Sequence, residues 1–179
     1  MNFDEILNEM SALASSQTVL SRRLVPGDGD RNAEIVFIGE APGKKEDELQ
    51  KPFVGAAGKL LSDLLESIGL KREDVWITNV VKCRPPDNRD PLPEEVAQWW
   101  PLLQKELEII NPKIICLLGR HAMYRFFPDF KISEVHGKAF RREDGRLYFT
   151  LYHPAAALYN GSQREVLFRD FQKIKVLLV

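Results

Sequence analysis

An alternation of short apolar runs with helical stretches constrains this chain more than any other feature. Ile35–Ile38, Val75–Val81 and Lys113–Leu118 read as buried strands, and Arg146–Leu151 reads as the second arm of a hairpin whose first arm is Lys138–Arg142. Leu60, Leu61, Leu64, Leu65 and Ile68 share one face of a helix that opens near Ala56 and stops at Gly69. Glu94–Ile110 forms another, with Pro101 kinking or restarting it. A short helix follows Gly119, and Val166–Leu178 forms the last. Phe3, Ile6, Leu7, Met10, Leu13 and Ala14 mark an amphipathic helix ahead of the first strand. Ser15–Asn32, the segment after Gly39, Cys83–Pro93 and the segment after Pro128 read as loops or irregular chain. This order predicts a parallel sheet with helices on both faces, within one domain.

In open α/β sheets, ligands sit outside the carboxyl ends of the strands. Gly39-Glu40 ends the first strand, Asn79 the second, Gly119-Arg120 the third and His153 the fourth, so four segments converge on one edge. Each has a plain alternative. Residues 39–43 make an ordinary strand-to-helix turn, Asn79 an element-end cap, His153 a structural histidine and Phe53 a core aromatic. Jointly they describe a pocket with an aromatic plate, an amide, an imidazole and a carboxylate. An amide beside an aromatic plate suits a flat heterocycle, stacked on its face and read along its edge. Lys44, Lys45 and Lys51 follow the first strand, Lys82, Arg84 and Arg89 the second, and Arg120 the third. They are either solvated loop cations or a positive rim fit for a phosphate backbone.

Composition narrows the partners. A formal net charge of −1 gives no global attraction to nucleic acid or membrane, so a polyanion site must be local. No apolar run approaches the roughly 20 residues of a membrane helix, and the acidic, amphipathic residues 1–10 are unlike a signal peptide. Cys83 and Cys116 give no disulfide framework, and a reducing cytoplasm is the expected setting.

In order and spacing, GEAPG (39–43), PFVGAAG (52–58), NVVKCRPPDNR (79–89) and HPAAAL (153–158) resemble the motifs of the type-four uracil-DNA glycosylases, over most of the chain from Pro26 onward. The resemblance implies a three-layer α/β/α fold with a central, mainly parallel four-stranded sheet, as a single domain spanning residues 1–179. It implies hydrolysis of the N-glycosidic bond of deoxyuridine in single- or double-stranded DNA, releasing uracil and leaving an abasic site. A cytoplasmic monomer is expected, with no membrane partner. The roles that carry over are these. His153 donates a hydrogen bond to the departing base, and Phe53 stacks on it. Asn79 accepts from uracil N3–H and donates to O4, a pattern that cytosine mispairs. Gly39, Ala41 and the backbone of Glu40 line the base site, and the Glu40 side chain places the attacking water. Glu46 packs against C5, where thymine carries its methyl. Another branch of the superfamily has an aspartate where this chain has Ala41, so leaving-group stabilisation is expected to carry most of the catalysis. Arg84 and Arg89, in the stiff proline-rich loop, are the expected DNA contacts. Tyr159 either stacks in the duplex gap or stands free in solvent. The alternative is a catalytically inactive nucleic-acid- or nucleotide-binding module of the same fold.

Glycosylases of this type usually hold a 4Fe–4S cluster on four cysteines. Cys83 matches one of these positions, and Ser15, Thr18 and Trp99 stand at the other three. One thiolate cannot supply four bonds to a cluster. No cluster, metal or other cofactor is expected. Trp99 is the candidate for filling the volume, and Cys116 behaves as a small hydrophobe in the third strand.

Overall fold

Strands that must be covered on both faces read as continuous apolar runs, and the four runs take up that position at the centre of the molecule. The computed structural model describes residues 1–179 and runs α1 (Phe3–Ser15), β1 (Asp28–Gly29), β2 (Ile35–Gly39), α2 (Lys44–Leu49), α3 (Ala56–Ser67), β3 (Trp76–Asn79), α4 (Pro93–Ile110), β4 (Ile114–Leu118), α5 (Gly119–Phe126), α6 (Ile132–Val135), β5 (Ala139–Arg141), β6 (Leu147–Leu151), α7 (Pro154–Ala157) and α8 (Gly161–Leu177). The sheet has six strands in the order β1-β3-β2-β4-β6-β5. The inner four are parallel. The two rims, β1 and β5, pair antiparallel with their neighbours. The expected four-stranded parallel core is therefore present, extended by a short strand at each edge.

Alternate side chains of β2 face the two helical layers. Val36 and Ile38 join Ile6, Met10, Trp99, Leu103 and Met123 in one core, beneath α1, α4 and α5. Ile35 and Phe37 join Leu61, Leu64, Phe149, Phe171 and Ile174 in the other, beneath α3 and α8. Phe37 and Phe171 stack there with centroids 5.7 Å apart. Asn2 caps α1, accepting from the Glu5 N–H while the Glu5 carboxylate accepts from the Asn2 N–H.

Several boundaries differ from the sequence reading. α4 runs through Pro101 as one helix. α8 begins at Gly161, where Asn160 accepts from the Gln163 N–H at 3.1 Å, so its first turn is polar and lies ahead of the apolar face. The loop after β2 contains α2, and the irregular stretch after Pro128 contains α6.

Candidate active site

The parallel register sets Gly39 directly beside Asn79 at the carboxyl ends of β2 and β3. The pairing continues one step further, because the N–H groups of Val80 and Val81 donate to the carbonyls of Gly39 and Glu40, each at 2.9 Å. Gly39 has no side chain for a reason visible at this point. A Cβ there would lie 2.5 Å from Asn79 Oδ1 and 2.7 Å from Phe53 Cζ. The amide and the ring thus meet over the only residue type that leaves them room. Asn79 and Phe53 are buried, at 3% and 6% exposure. The Phe53 ring faces the His153 imidazole with centroids 5.7 Å apart and planes 27° from parallel.

His153 follows β6 and caps α7. Its Nδ1 accepts from the Ala155 N–H at 3.0 Å, which leaves Nε2 as the protonated nitrogen of the neutral ring. Burial, and secondarily the nearby His121, push its pKa down to about 4. The imidazole is therefore a neutral donor at physiological pH. Gly119, at φ 86°, allows the approach, since a Cβ there would come within 2.9 Å of the His153 Cβ.

Glu40 is 12% exposed, and both its carboxylate oxygens are shielded from solvent without a hydrogen-bond partner. His121 Nδ1 stands 3.4 Å from Oε2, and Arg125 Nη2 stands 3.9 Å from Oε1. The other His121 nitrogen lies 3.6 Å from Asp90 Oδ2. Burial and the Arg125 charge lower the His121 pKa. Glu40, Asp90 and His121 place three potential ligand atoms within 4.8 Å of one another. Arg125 supplies positive charge beside Glu40, so that carboxylate has a cationic neighbour from the protein itself. Glu40, Asp90 and His121 line a cavity of about 730 Å³ together with Ala41, Asn88 and His153. Phe53 and Asn79 pack against Gly39 at the strand ends, and Phe53 also lines a second, smaller hollow with Lys51, Lys59 and Arg72. Glu46 is half-buried in the first turn of α2, and its carboxylate spans the backbone of Gly43 and Gly55.

The basic rim is smaller than the sequence suggested. Lys82 is not on it: its side chain is fully buried, with Nζ 2.5 Å from Glu106 Oε2. Arg89 is committed to a two-pronged ion pair with Glu95, at 2.7 and 2.9 Å, and braces the proline-rich loop against α4. The pair ties the guanidinium to α4 while the side chain, about a third exposed, still lines the cavity described above. Arg84 donates from Nε to Asn88 at 2.8 Å, which leaves its terminal nitrogens facing outward with the exposed Lys44, Lys45, Lys51 and Arg120. Tyr159 is 96% exposed after α7. Sequence reasoning missed three participants. Glu106 and His121 lay in helical segments with nothing to distinguish them from surface polar residues. Arg72 sat in a charged turn, Lys-Arg-Glu-Asp at 71–74, that reads as solvated.

The four positions at which the resemblance implies a cluster do not fit one. Ser15 and Thr18 are exposed. Trp99 is fully buried in the same core as Cys83, Ala14 and Leu20. Burial pushes the Cys83 thiol up to about 12, away from the thiolate a metal requires. Backbone bonds from the Ser21 N–H to the Arg84 carbonyl and from the Val25 N–H to the Lys82 carbonyl tie the segment after α1 to the proline-rich loop.

The sequence model of the Uracil DNA glycosylase superfamily matches residues 26–175. The Type-4 uracil-DNA glycosylase of Archaeoglobus fulgidus is 49% identical over 182 residues, covering 97% of this chain and 92% of that protein. The enzyme of the same name from Sulfurisphaera tokodaii is 49% identical, covering 87% of this chain and 74% of its own length. That from Saccharolobus solfataricus is 47% identical, covering 99% and 87%.

Proposed function

The chain belongs to the uracil-DNA glycosylase superfamily, and from that premise we propose how its residues excise uracil from DNA. The enzyme hydrolyses the N-glycosidic bond of deoxyuridine, releasing uracil and leaving an abasic site. The C1′–N1 bond breaks with its electron pair going to the base, and water adds to C1′ with loss of a proton. The His153 Nε2–H donates to the pyrimidine oxygen on which negative charge gathers. A neutral imidazole suits that task, because its proton remains on the ring and no buried cation has to be accommodated. Phe53 stacks on the flipped base. Asn79 accepts from N3–H and donates to O4, so cytosine presents the wrong pattern. Gly39 lets both side chains reach one ligand, and the backbone at Glu40 and Ala41 supports the base from the strand end. Glu40 holds the attacking water: its shielded carboxylate oxygens accept no hydrogen bond from the protein and are open to one from the water. Glu46, over the 43–55 backbone, meets C5 and excludes a methyl group.

Arg84 and the exposed loop lysines contact the phosphate backbone, and Tyr159 is free to enter the gap left by the flipped nucleotide. The protein acts as a cytoplasmic monomer and needs no iron–sulphur cluster, because side-chain packing around Trp99 closes the place where one would sit. No helix is long and apolar enough to cross a membrane.

The observation that carries this reading is the meeting of Phe53 and Asn79 over Gly39, beside a neutral histidine. An oligonucleotide with a single uracil, incubated with the protein and then treated with alkali, tests it. Strand breakage at the uracil is expected. Binding without breakage would replace the glycosylase with a binding module of the same fold.

A further inference from the structure

Phe53 has φ 52°, in the left-handed region that a phenylalanine seldom enters. Such a conformation persists only where the surroundings hold it, and one side chain is placed to do so. Arg72, in the turn between α3 and β3, donates from Nη1 to the Phe53 carbonyl at 2.9 Å and from Nη2 to the Pro52 carbonyl at 2.8 Å. The peptide plane before Phe53 carries the Pro52 carbonyl, and the plane after it carries the Phe53 carbonyl. Fixing the direction of both fixes the φ and ψ of Phe53 between them. A guanidinium is rigid and planar, so its two donors set two acceptors at once, which a single ammonium cannot do. From the other side, Gly58 in the first turn of α3 closes on the Phe53 carbonyl; a Cβ at that position would fall 1.8 Å from the oxygen. The guanidinium is itself attracted by Asp28 on the rim strand β1.

We propose that Arg72 is the positioning residue for the base-stacking ring: its fork holds Phe53 in a left-handed conformation that aims the ring at Asn79 and His153. The inference rests on the reading of Phe53 as the plate for uracil. Arg72 touches neither base nor sugar and acts through the backbone of its neighbour. Its removal allows Phe53 to relax to an ordinary φ, and the plate then swings away from the site while the catalytic donor stays in place.

The test is a double-mutant cycle in full-length protein, with the wild type, Arg72→Gln, Phe53→Ala and the pair. The readouts are KM, the single-turnover rate, the inhibition constant for free uracil, and the thermal midpoint. Arg72→Gln in the wild-type background is expected to raise KM and the inhibition constant for uracil about tenfold, with a smaller fall in single-turnover rate. In the Phe53→Ala background the same change should alter uracil affinity less than twofold, although it lowers the thermal midpoint in both backgrounds. Arg72→Lys keeps the charge beside Asp28 but loses the fork. It should recover the thermal midpoint and leave uracil affinity impaired, and it serves in place of Arg72→Gln if that variant does not fold. Equal losses of uracil affinity in both backgrounds, or an unchanged affinity in a folded Arg72 variant, would overturn the positioning role. A Phe53→Ala protein with wild-type uracil affinity would overturn the stacking role and the inference together, which separates that failure from the other.

Discussion

Replacing Lys82 by methionine should be among the most destabilising single changes this protein can take. Lys82 is 0% exposed and Glu106 is 1% exposed. All three donors of the ammonium are in use, to Glu106 Oε2 at 2.5 Å, Thr78 Oγ1 at 2.5 Å and the Asn79 carbonyl at 2.7 Å. Glu106 also accepts from Trp76 Nε1 at 2.9 Å and from the Thr78 hydroxyl at 3.2 Å. Methionine keeps the volume but strands the carboxylate in the core. Breaking a buried pair by removing one partner costs about 3–5 kcal/mol. For a domain of this size each kcal/mol lowers the melting temperature by about 2–4 °C, so a drop on the order of 10 °C is expected. The companion variant Lys82→Met/Glu106→Gln removes both charges and retains an acceptor for Trp76. It should return to within about 1–2 kcal/mol of the wild type, because well-packed neutral replacements of buried pairs are close to neutral. Guanidinium unfolding followed by circular dichroism and by tryptophan fluorescence measures both. A single variant that loses less than about 1 kcal/mol, or a double variant that loses the sum of the two singles, would refute the buried-pair account.

His153→Ala should slow single-turnover excision at least about a hundredfold, the scale for losing one oxyanion-type donor. The folded pKa of His153, about 4, lies below the unfolded value of 6.5. Its contribution to stability therefore rises with pH between these two values and is lost as pH falls through them, and an acid limb of the rate due to this ring should lie near 4; a limb that titrates near 6.5 and vanishes in His153→Ala would contradict the buried neutral ring. Asn79→Asp should reduce uracil excision by about 10–100-fold, since a carboxylate lacks the donor to O4 and repels the developing anion; wild-type excision by that variant would exclude edge reading. Purified protein should be colourless, free of stoichiometric iron and active in chelator, with Trp99→Ala costing about 3–5 kcal/mol. Arg84→Ala should flatten the salt dependence of DNA binding by about one unit, whereas Arg89→Ala should leave the slope unchanged and loosen the proline-rich loop.

The central strands were legible because short apolar runs such as Ile35–Ile38, too short for a helix and stopped by a glycine, suit a strand covered on both sides. The rim strand β1 was hidden because Asp28-Gly29 has loop composition and pairs only through Ile77 and Trp76, far along the chain. α2 was hidden for a different reason: Lys44–Leu49 is almost wholly charged, so it carries no apolar face to announce it. The residues of the site were legible by type and by position at strand ends, yet their partners were not. Lys82 resembles any loop lysine until α4 brings Glu106 against it. Arg89 reads as a free loop cation until the same helix presents Glu95. In both cases the deciding charge lies on α4, and only the fold shows which way that helix turns it.

The crowding at Gly39 shapes what mutation can reach. A methyl group at that position would press on the amide and the ring together, so the plate and the reading edge cannot be altered independently from there. Every replacement at 39 disturbs both at once, and a single-site library there should return almost no active members. A route to a different base has to begin at 53 or 79, with a smaller ring or a different edge. Only after that opening is a side chain at 39 admissible. The order of substitutions, and not only their identity, is thus written into the backbone at the end of β2.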